Sequence, residues 1–450
     1  MQLLYKIPLL AAPRNETAQV RAAVTAFFAV DGFIFASWAV RIPAVKEAVG
    51  ASPASLGIAL LGASAGAIAT MTLTGALCRR FGSAQVAVVA CAWLSLALLL
   101  PALARSALAL GLSLVVFGIG YGGLNVAMNS LAVDLVAAVR RPVMPSFHAA
   151  WSFGGLAGSA LGGLAAPHLS PLTHFALVCL LGLLVTVTCG RVILSHPLQA
   201  PLPGTRAGHA EAPASVPGPG GSRGAAVTET EPSQAVQNGS VLHPAPTPAR
   251  TGLWRTVLLL GVIALCASYG EGAISDWGAL HLREDLGAAA GLAAAGYASF
   301  ALAEACGRLG GSWLLARLGQ TRVLVLGGVI TCAGMLAAAL SPVLPLALIG
   351  FALAGLGVAN AFPTAMARVG ALAGPHGVAT ASTLGYAGFL LGPPIIGFLA
   401  TAVSLRVALT TVSLLALVAI ALARTASSGS RLAEPAAGPA AEPTGAPLEL

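Results

Sequence analysis

The chain has 450 residues, of which 57% are hydrophobic and only 8% charged, and its mean hydropathy is +0.87. A soluble globular protein carries about 25% charged residues, so 23 basic and 15 acidic side chains are too few to coat this one. Lipid is the solvent that fits, which argues against a soluble enzyme, a nucleic-acid-binding domain and a disulfide-rich secreted module; the formal charge of +8 falls at membrane edges, where topology accounts for it.

A helix that crosses a bilayer needs about 20 mostly apolar residues. That length predicts spans at 19–40, 54–77, 84–104, 107–134, 144–166 and 172–194, and again at 254–280, 288–315, 321–341, 343–366, 377–402 and 404–424. The spans are rich in Ala, Leu, Gly and Val without alternation, so the expectation is an all-α membrane protein of twelve transmembrane helices, not a β-barrel. Lys6 breaks the short apolar run at the start, so no signal peptide is expected. The predicted organisation is a cytoplasmic segment over 1–18, a six-helix bundle over 19–194, a linker over 195–252, a second bundle over 253–424 and a disordered tail over 425–450. The linker and tail are rich in Pro, Gly and polar residues and hold too little apolar surface to order themselves; a regulatory or partner-binding role is the alternative for both.

With the amino terminus placed in the cytoplasm, seventeen Lys and Arg residues fall on the cytoplasmic side and five on the other: Arg41, Lys46, Arg105, Arg283 and Arg406. The bias predicts both termini in the cytoplasm and a location in the inner, cytoplasmic membrane. The seven cysteines are scattered without a CxxC pair, so they read as small apolar core residues, with no metal site and no cofactor.

The two halves share landmarks in the same order. Asp31-Gly32 answers to Glu271-Gly272, Trp38 to Trp277, Arg80 and Gly82 to Arg317 and Gly319, and Gly120, Gly122 and Asn125 to Gly355, Gly357 and Asn360. The offsets drift in one direction from 240 to 235 residues, as small loop deletions would produce. A duplicated six-helix unit implies a pseudo-two-fold axis with a site where the halves meet.

Six plus six helices around a long central loop resemble the major facilitator superfamily. The stretch GALCRRFGSAQ (75–85) is similar to that superfamily's Gly-rich basic motif at Gly75, Arg80, Phe81 and Gly82, although Arg79 stands where an acid is usual and Ala316 at the equivalent place in the second half. NVAMNSLAVD…RRPVMPSFHAAWSFGGLAGSALGG (125–163) resembles the bacterial YbjJ-like subgroup. The resemblance covers nearly all of the chain except linker and tail, and it implies the superfamily fold, alternating access and solute transport. The superfamily's helix-5 Gly-Pro motif of antiporters lacks its proline here.

Two literal motifs are declined. Gly118-Ile-Gly120-Tyr-Gly122-Gly123 matches GxGxxG, and Gly62-Ala-Ser64-Ala-Gly66 matches GxSxG, but both lie inside membrane spans, where small residues let helices approach. No GxxxxGK[ST] sequence is present, so the chain carries no P-loop to drive transport with ATP.

Polar residues inside spans carry the functional expectation, because an ionised side chain at the bilayer centre costs about 2.5–3.5 kcal/mol on insertion scales. Asp31 and Glu271 occupy repeat-equivalent positions, and a carboxyl that binds and releases a proton as its exposure alternates can couple proton to solute; the alternative is a structural carboxyl held by a neighbouring helix. Glu304 and Arg308 lie four apart on one face and either pair within the helix or exchange partners with substrate, Asp31 or Glu271. Asn125, Asn129 and Asn360 are candidates for solute hydrogen bonds or for interhelical polar contacts. His148 can relay protons or serve as a structural donor, and Trp151 can stack on a flat ligand or pack. Arg80, Gly82, Arg317, Gly319 and Asp276 are expected at gates or interfaces. The expected activity is proton-coupled symport of a small polar, sugar-like solute by a monomer, with solute, protons and the bilayer as partners, no nucleic acid and no enzyme chemistry. The alternatives are a proton-driven exporter of amphipathic compounds and a non-transporting membrane sensor.

Overall fold

The computed structural model describes residues 14–139, 143–196 and 248–431. Residues 197–247 and 432–450, which hold most of the predicted linker and tail, lie outside the described residues, as do 1–13.

Every element among the described residues is a helix. The first bundle runs α1 (Arg14–Ala39), the short α2 (Ile42–Val49), α3 (Pro53–Phe81), α4 (Ser83–Ala97), α5 (Leu100–Leu103), α6 (Ala107–Val139), α7 (Met144–Ala165) and α8 (Pro171–Ser195). The second runs α9 (Pro248–Glu284), α10 (Ala290–Leu318), α11 (Gln320–Leu340), α12 (Leu344–Val358), α13 (Ala361–Ala402) and α14 (Leu405–Arg431).

Local chemistry sets the breaks. Ser52 and Ser170 cap α3 and α8 by accepting the amides of Ser55 and Thr173, and each helix opens with a proline whose missing N–H is no loss there. Gly82 (φ 91°) turns α3 into α4, and Gly319 (φ 76°) turns α10 into α11. These are repeat-equivalent positions in the same backbone region, one that residues with a Cβ avoid. The two glycines therefore make the turns, and the arginines beside them lie over rings at the same end: Arg80 over Phe81, Arg317 over Trp313. Residues 367–376 fall between two predicted spans, yet α13 runs through them and breaks only at Gly374 (φ 59°). α14 continues past Arg424 to Arg431.

Ten stretches of the described residues are long and apolar enough to cross a membrane. They correspond to the predicted spans except those of α7 and α10. α7 is diluted by glycine and serine, and α10 carries Glu304, Arg308 and Arg317. These two helices pack on each other between the bundles, as α3 does on α13. The interior holds Phe27, Phe28, Phe117, Phe300, Phe351 and Trp277, while Leu108 and Leu164 are 75% and 71% exposed. Leucines turned outward on every side suit a lipid solvent.

The bundles meet chiefly toward the end that carries α2. Pro53 and Gly57 on α3 lie against Pro393 and Gly397 on α13, and the Ala54 amide donates to Thr401 Oγ1 at 3.0 Å. Gly163 on α7 faces Gly291 and Ala294 on α10. Lys46 and Glu47 of α2 face Glu284 and Arg283 of α9, with Lys46 Nζ 2.5 Å from Glu284 Oε1 and Arg283 Nη2 3.6 Å from Glu47 Oε2. Arg41, counted in the sequence as a loop charge, is buried instead: its Nε donates to His174 Nδ1 at 3.0 Å and its Nη1 to the Ala166 carbonyl at 3.3 Å. Burial pulls that guanidinium below its ordinary range. The contacts across the bundles reach as deep as Ser64, whose hydroxyl donates to the Phe389 carbonyl, and Tyr297, whose hydroxyl stands near Gly155.

Candidate solute and proton site

Each bundle carries acids within its helices. In the first, α1 and α7 cross at glycines. A Cβ on Gly32 would strike the Trp151 carbonyl and sit 3.0 Å from the Gly155 amide nitrogen, and one on Gly154 would strike the Ala29 carbonyl. This close crossing carries the Trp151 indole to α1, where Nε1 donates to Asp31 Oδ2 at 2.9 Å. Asp31 is fully buried, and its Oδ1 has no hydrogen-bond partner.

In the second bundle, Arg308 Nη2 donates to Glu304 Oε1 at 2.7 Å, one turn away on α10, and lies 3.7 Å from Glu271 Oε2 on α9. Glu304 is buried, whereas the side chains of Glu271 and Arg308 are 20% and 27% exposed. The guanidinium thus serves two carboxyls and still reaches solvent. An aromatic cluster adjoins both Asp31 and the Arg308 group. Phe35, one turn beyond Asp31, stacks on Tyr121 at 5.4 Å between centroids and lies 6.3 Å from Trp151. It also meets Tyr297 of α10 edge-on at 6.3 Å, so the cluster crosses from one bundle to the other. Tyr121 is within electrostatic range of Asp31, Glu271, Tyr297 and Tyr386.

The other expected residues distribute unevenly. His148 is exposed, packs edge-on against Phe28 and is within electrostatic range of Arg308. Asp276 is half-buried on α9, within electrostatic range of Tyr297. Asn129 Nδ2 donates to the Asn125 carbonyl of its own helix at 2.8 Å, and both asparagines are half-buried on α6. Asn360 Nδ2 donates to the Gly307 carbonyl at 2.9 Å, tying the start of α13 to α10. Arg80 and Arg317 are exposed at the far ends of α3 and α10, with Gly82 and Gly319 in the turns.

Sequence reasoning missed Phe35, Tyr121, Tyr297 and Tyr386. Tyr121 lies inside the GxGxxG match, and Tyr297 shares a face with Glu304 seven residues on, a spacing that could have flagged it. It also missed the pairing of α2 with α9. Among the described residues no group of three or more His, Cys, Asp or Glu gathers to hold a metal ion.

Helices of this length and polarity, joined at a charged and aromatic centre, define a multi-pass membrane transporter. The chain belongs to the Major Facilitator Superfamily, whose family model matches residues 22–275 and 260–447. It is 33% identical over 414 residues to an uncharacterized transporter of Sinorhizobium fredii, covering 89% of this chain and 96% of that one. It is 32% identical over 405 residues to an uncharacterized MFS-type transporter of Yersinia pestis, covering 89% and 93%. Among solved structures it is similar to a bacterial homologue of the human lysosomal transporter Spinster in an inward-facing, occupied conformation, with a TM-score of 0.69, 16% identity and 93% and 98% coverage. It is also similar to the nucleoside transporter NupG, with a TM-score of 0.63, 13% identity and 92% and 99% coverage. At these identities the structural likenesses establish the fold alone.

Proposed function

We propose that this protein is a secondary active transporter that works by alternating access and couples inward proton movement to uptake of a small polar, hydroxylated solute. In this reading α7 and α10 complete a set of twelve spans, the linker end of the bundles faces the cytoplasm, and the protein works as a monomer in the cytoplasmic membrane. The subgroup is the YbjJ-like one, from the 125–163 stretch.

The observation that carries the reading is the asymmetric sharing of Arg308. One guanidinium serves Glu304 and Glu271, while Asp31 accepts from the Trp151 indole and its Oδ1 has no hydrogen-bond partner. Rocking the bundles changes which of these groups meets water, and a carboxyl whose solvation changes also changes its hold on a proton. Tyr121 and Tyr386 offer hydroxyls, and Trp151 an indole face, to a sugar-like ring. The same aromatic wall favours the second reading, a proton-driven exporter of amphipathic compounds.

The experiment uses proteoliposomes loaded with a pH-sensitive dye and exposed to a panel of neutral sugars and polyols. Symport predicts internal acidification when one of them is added outside. Solute leaving as protons enter supports the exporter, and binding without flux for every compound supports a sensor.

A further inference from the structure

Away from the central site, a groove of about 710 Å³ runs along the outer surface between the first turns of α9 and the last turns of α14. Leu258 and Val262 of α9 and Val418 and Leu422 of α14 form its walls, with Trp254 and Arg255 at the mouth. The groove is shallow and open along its length. From Trp254 to Val262 the groove extends about 12 Å along the helix axis, at 1.5 Å per residue. This nearly matches the half-thickness of a bilayer's hydrocarbon core, about 15 Å, so the groove fits one leaflet.

The groove also has a direction. Away from the start of α9 its lining is aliphatic, and nearer that start stand a 42% exposed tryptophan and an exposed arginine, at what we call its mouth. That order of aliphatic wall, indole and cation follows the order of acyl chain, interface and headgroup. Charge points the same way. Arg255 is the basic side chain of the lining, α9 carries no acid before Glu271, and α14 carries none. The charge at the mouth is therefore basic, which complements an anionic headgroup and gives a zwitterionic one no advantage.

We propose that this groove is a binding site for an anionic phospholipid, with an acyl chain along Leu258, Val262, Val418 and Leu422 and the phosphate at Arg255. The site is independent of the transport reading, since it requires only that α9 and α14 face lipid, and it ties the helix entering the second bundle to the helix leaving it.

The test is thermal unfolding of the full chain in detergent, titrated with phosphatidylglycerol, with phosphatidylcholine of the same chains, and with glycerophosphoglycerol, which lacks chains. Phosphatidylglycerol is expected to half-saturate its stabilisation at a concentration about five-fold lower than phosphatidylcholine, the effect of one interfacial arginine. Glycerophosphoglycerol should do nothing at the same concentrations. Arg255→Gln should remove the advantage of phosphatidylglycerol, and Val262→Trp, which fills the groove, should remove the response to both lipids. Native mass spectrometry of the same samples counts retained lipid, so a variant with altered stability still gives an answer. Equal effects of the two lipids on the unaltered chain overturn the proposal. So does an advantage that survives Arg255→Gln, or a lipid count unchanged by Val262→Trp.

Discussion

At the scale of single residues, the site divides into a paired acid group and an unpaired one. Arg308 and Glu271 are both partly exposed, so removal of the guanidinium leaves Glu271 in reach of water. Arg308→Ala is expected to bring uptake to background while the protein still elutes as one folded species; normal uptake would end the idea that partners exchange around this guanidinium. Asp31→Asn keeps an oxygen to accept from the Trp151 indole, so the α1–α7 crossing should hold. Solute-driven acidification should vanish in that variant, while exchange of labelled for unlabelled solute across the same vesicles persists. If acidification survives, Asp31 is a structural carboxyl. These two predictions separate the role of charge pairing from that of proton carriage. Asp31, Glu271 and Arg308 were legible from sequence because a charge within an apolar span calls for an explanation. Phe35, Tyr121 and Tyr297 were not, because an aromatic residue within a span is ordinary.

At the scale of elements, helix crossings place the site and ion pairs hold the closed end. The α1–α7 crossing leaves no room for a side chain at Gly154, where a Cβ would meet the Ala29 carbonyl. Gly154→Ala should lower stability by about 1–3 kcal/mol, as overpacking does, and should cut uptake more than expression, since it parts Trp151 from Asp31. Thermal unfolding and flux on one preparation check both. Between α2 and α9 the two charge pairs are reciprocal, with a cation and an acid on each helix. A solvent-exposed pair contributes about 0.2–1 kcal/mol, so Lys46→Glu should shift the population toward the state open at the α2 end by up to about five-fold. Lys46→Glu with Glu284→Lys should restore the original balance. Labelling of a cysteine placed in the cleft from the α2 side measures it, and a double variant no better than the single one would show that the pair is incidental. The i, i+4 bond of Arg308 to Glu304 was legible, because helical spacing fixes it. The reach of Arg308 to Glu271, and of Lys46 to Glu284, was not, because each joins helices whose relative placement no local pattern encodes.

At the scale of the whole molecule, the contacts between bundles gather toward one end. Ala54 and Thr401 are joined by a hydrogen bond there, so cysteines at both positions, in a chain whose seven native thiols have been replaced, should cross-link readily. Alternating access requires that end to open, so the cross-link should stop transport and a reductant should restore it. Transport undiminished by a complete cross-link would mean that the α2 end stays shut through the cycle.

Composition and hydropathy by themselves determined that the chain lives in lipid, that it is helical, and which few ionisable groups its spans contain. These are properties of residues summed or compared along the chain, and twenty apolar residues in hydrocarbon have no other way to satisfy their backbone. Tertiary structure alone decided that α13 stays helical up to Gly374, that Arg41 is buried, that Trp151 meets Asp31, and that the bundles close at the α2 end. Each of these depends on how closely two distant helices approach, which is set by packing over the whole crossing and not by any segment read on its own.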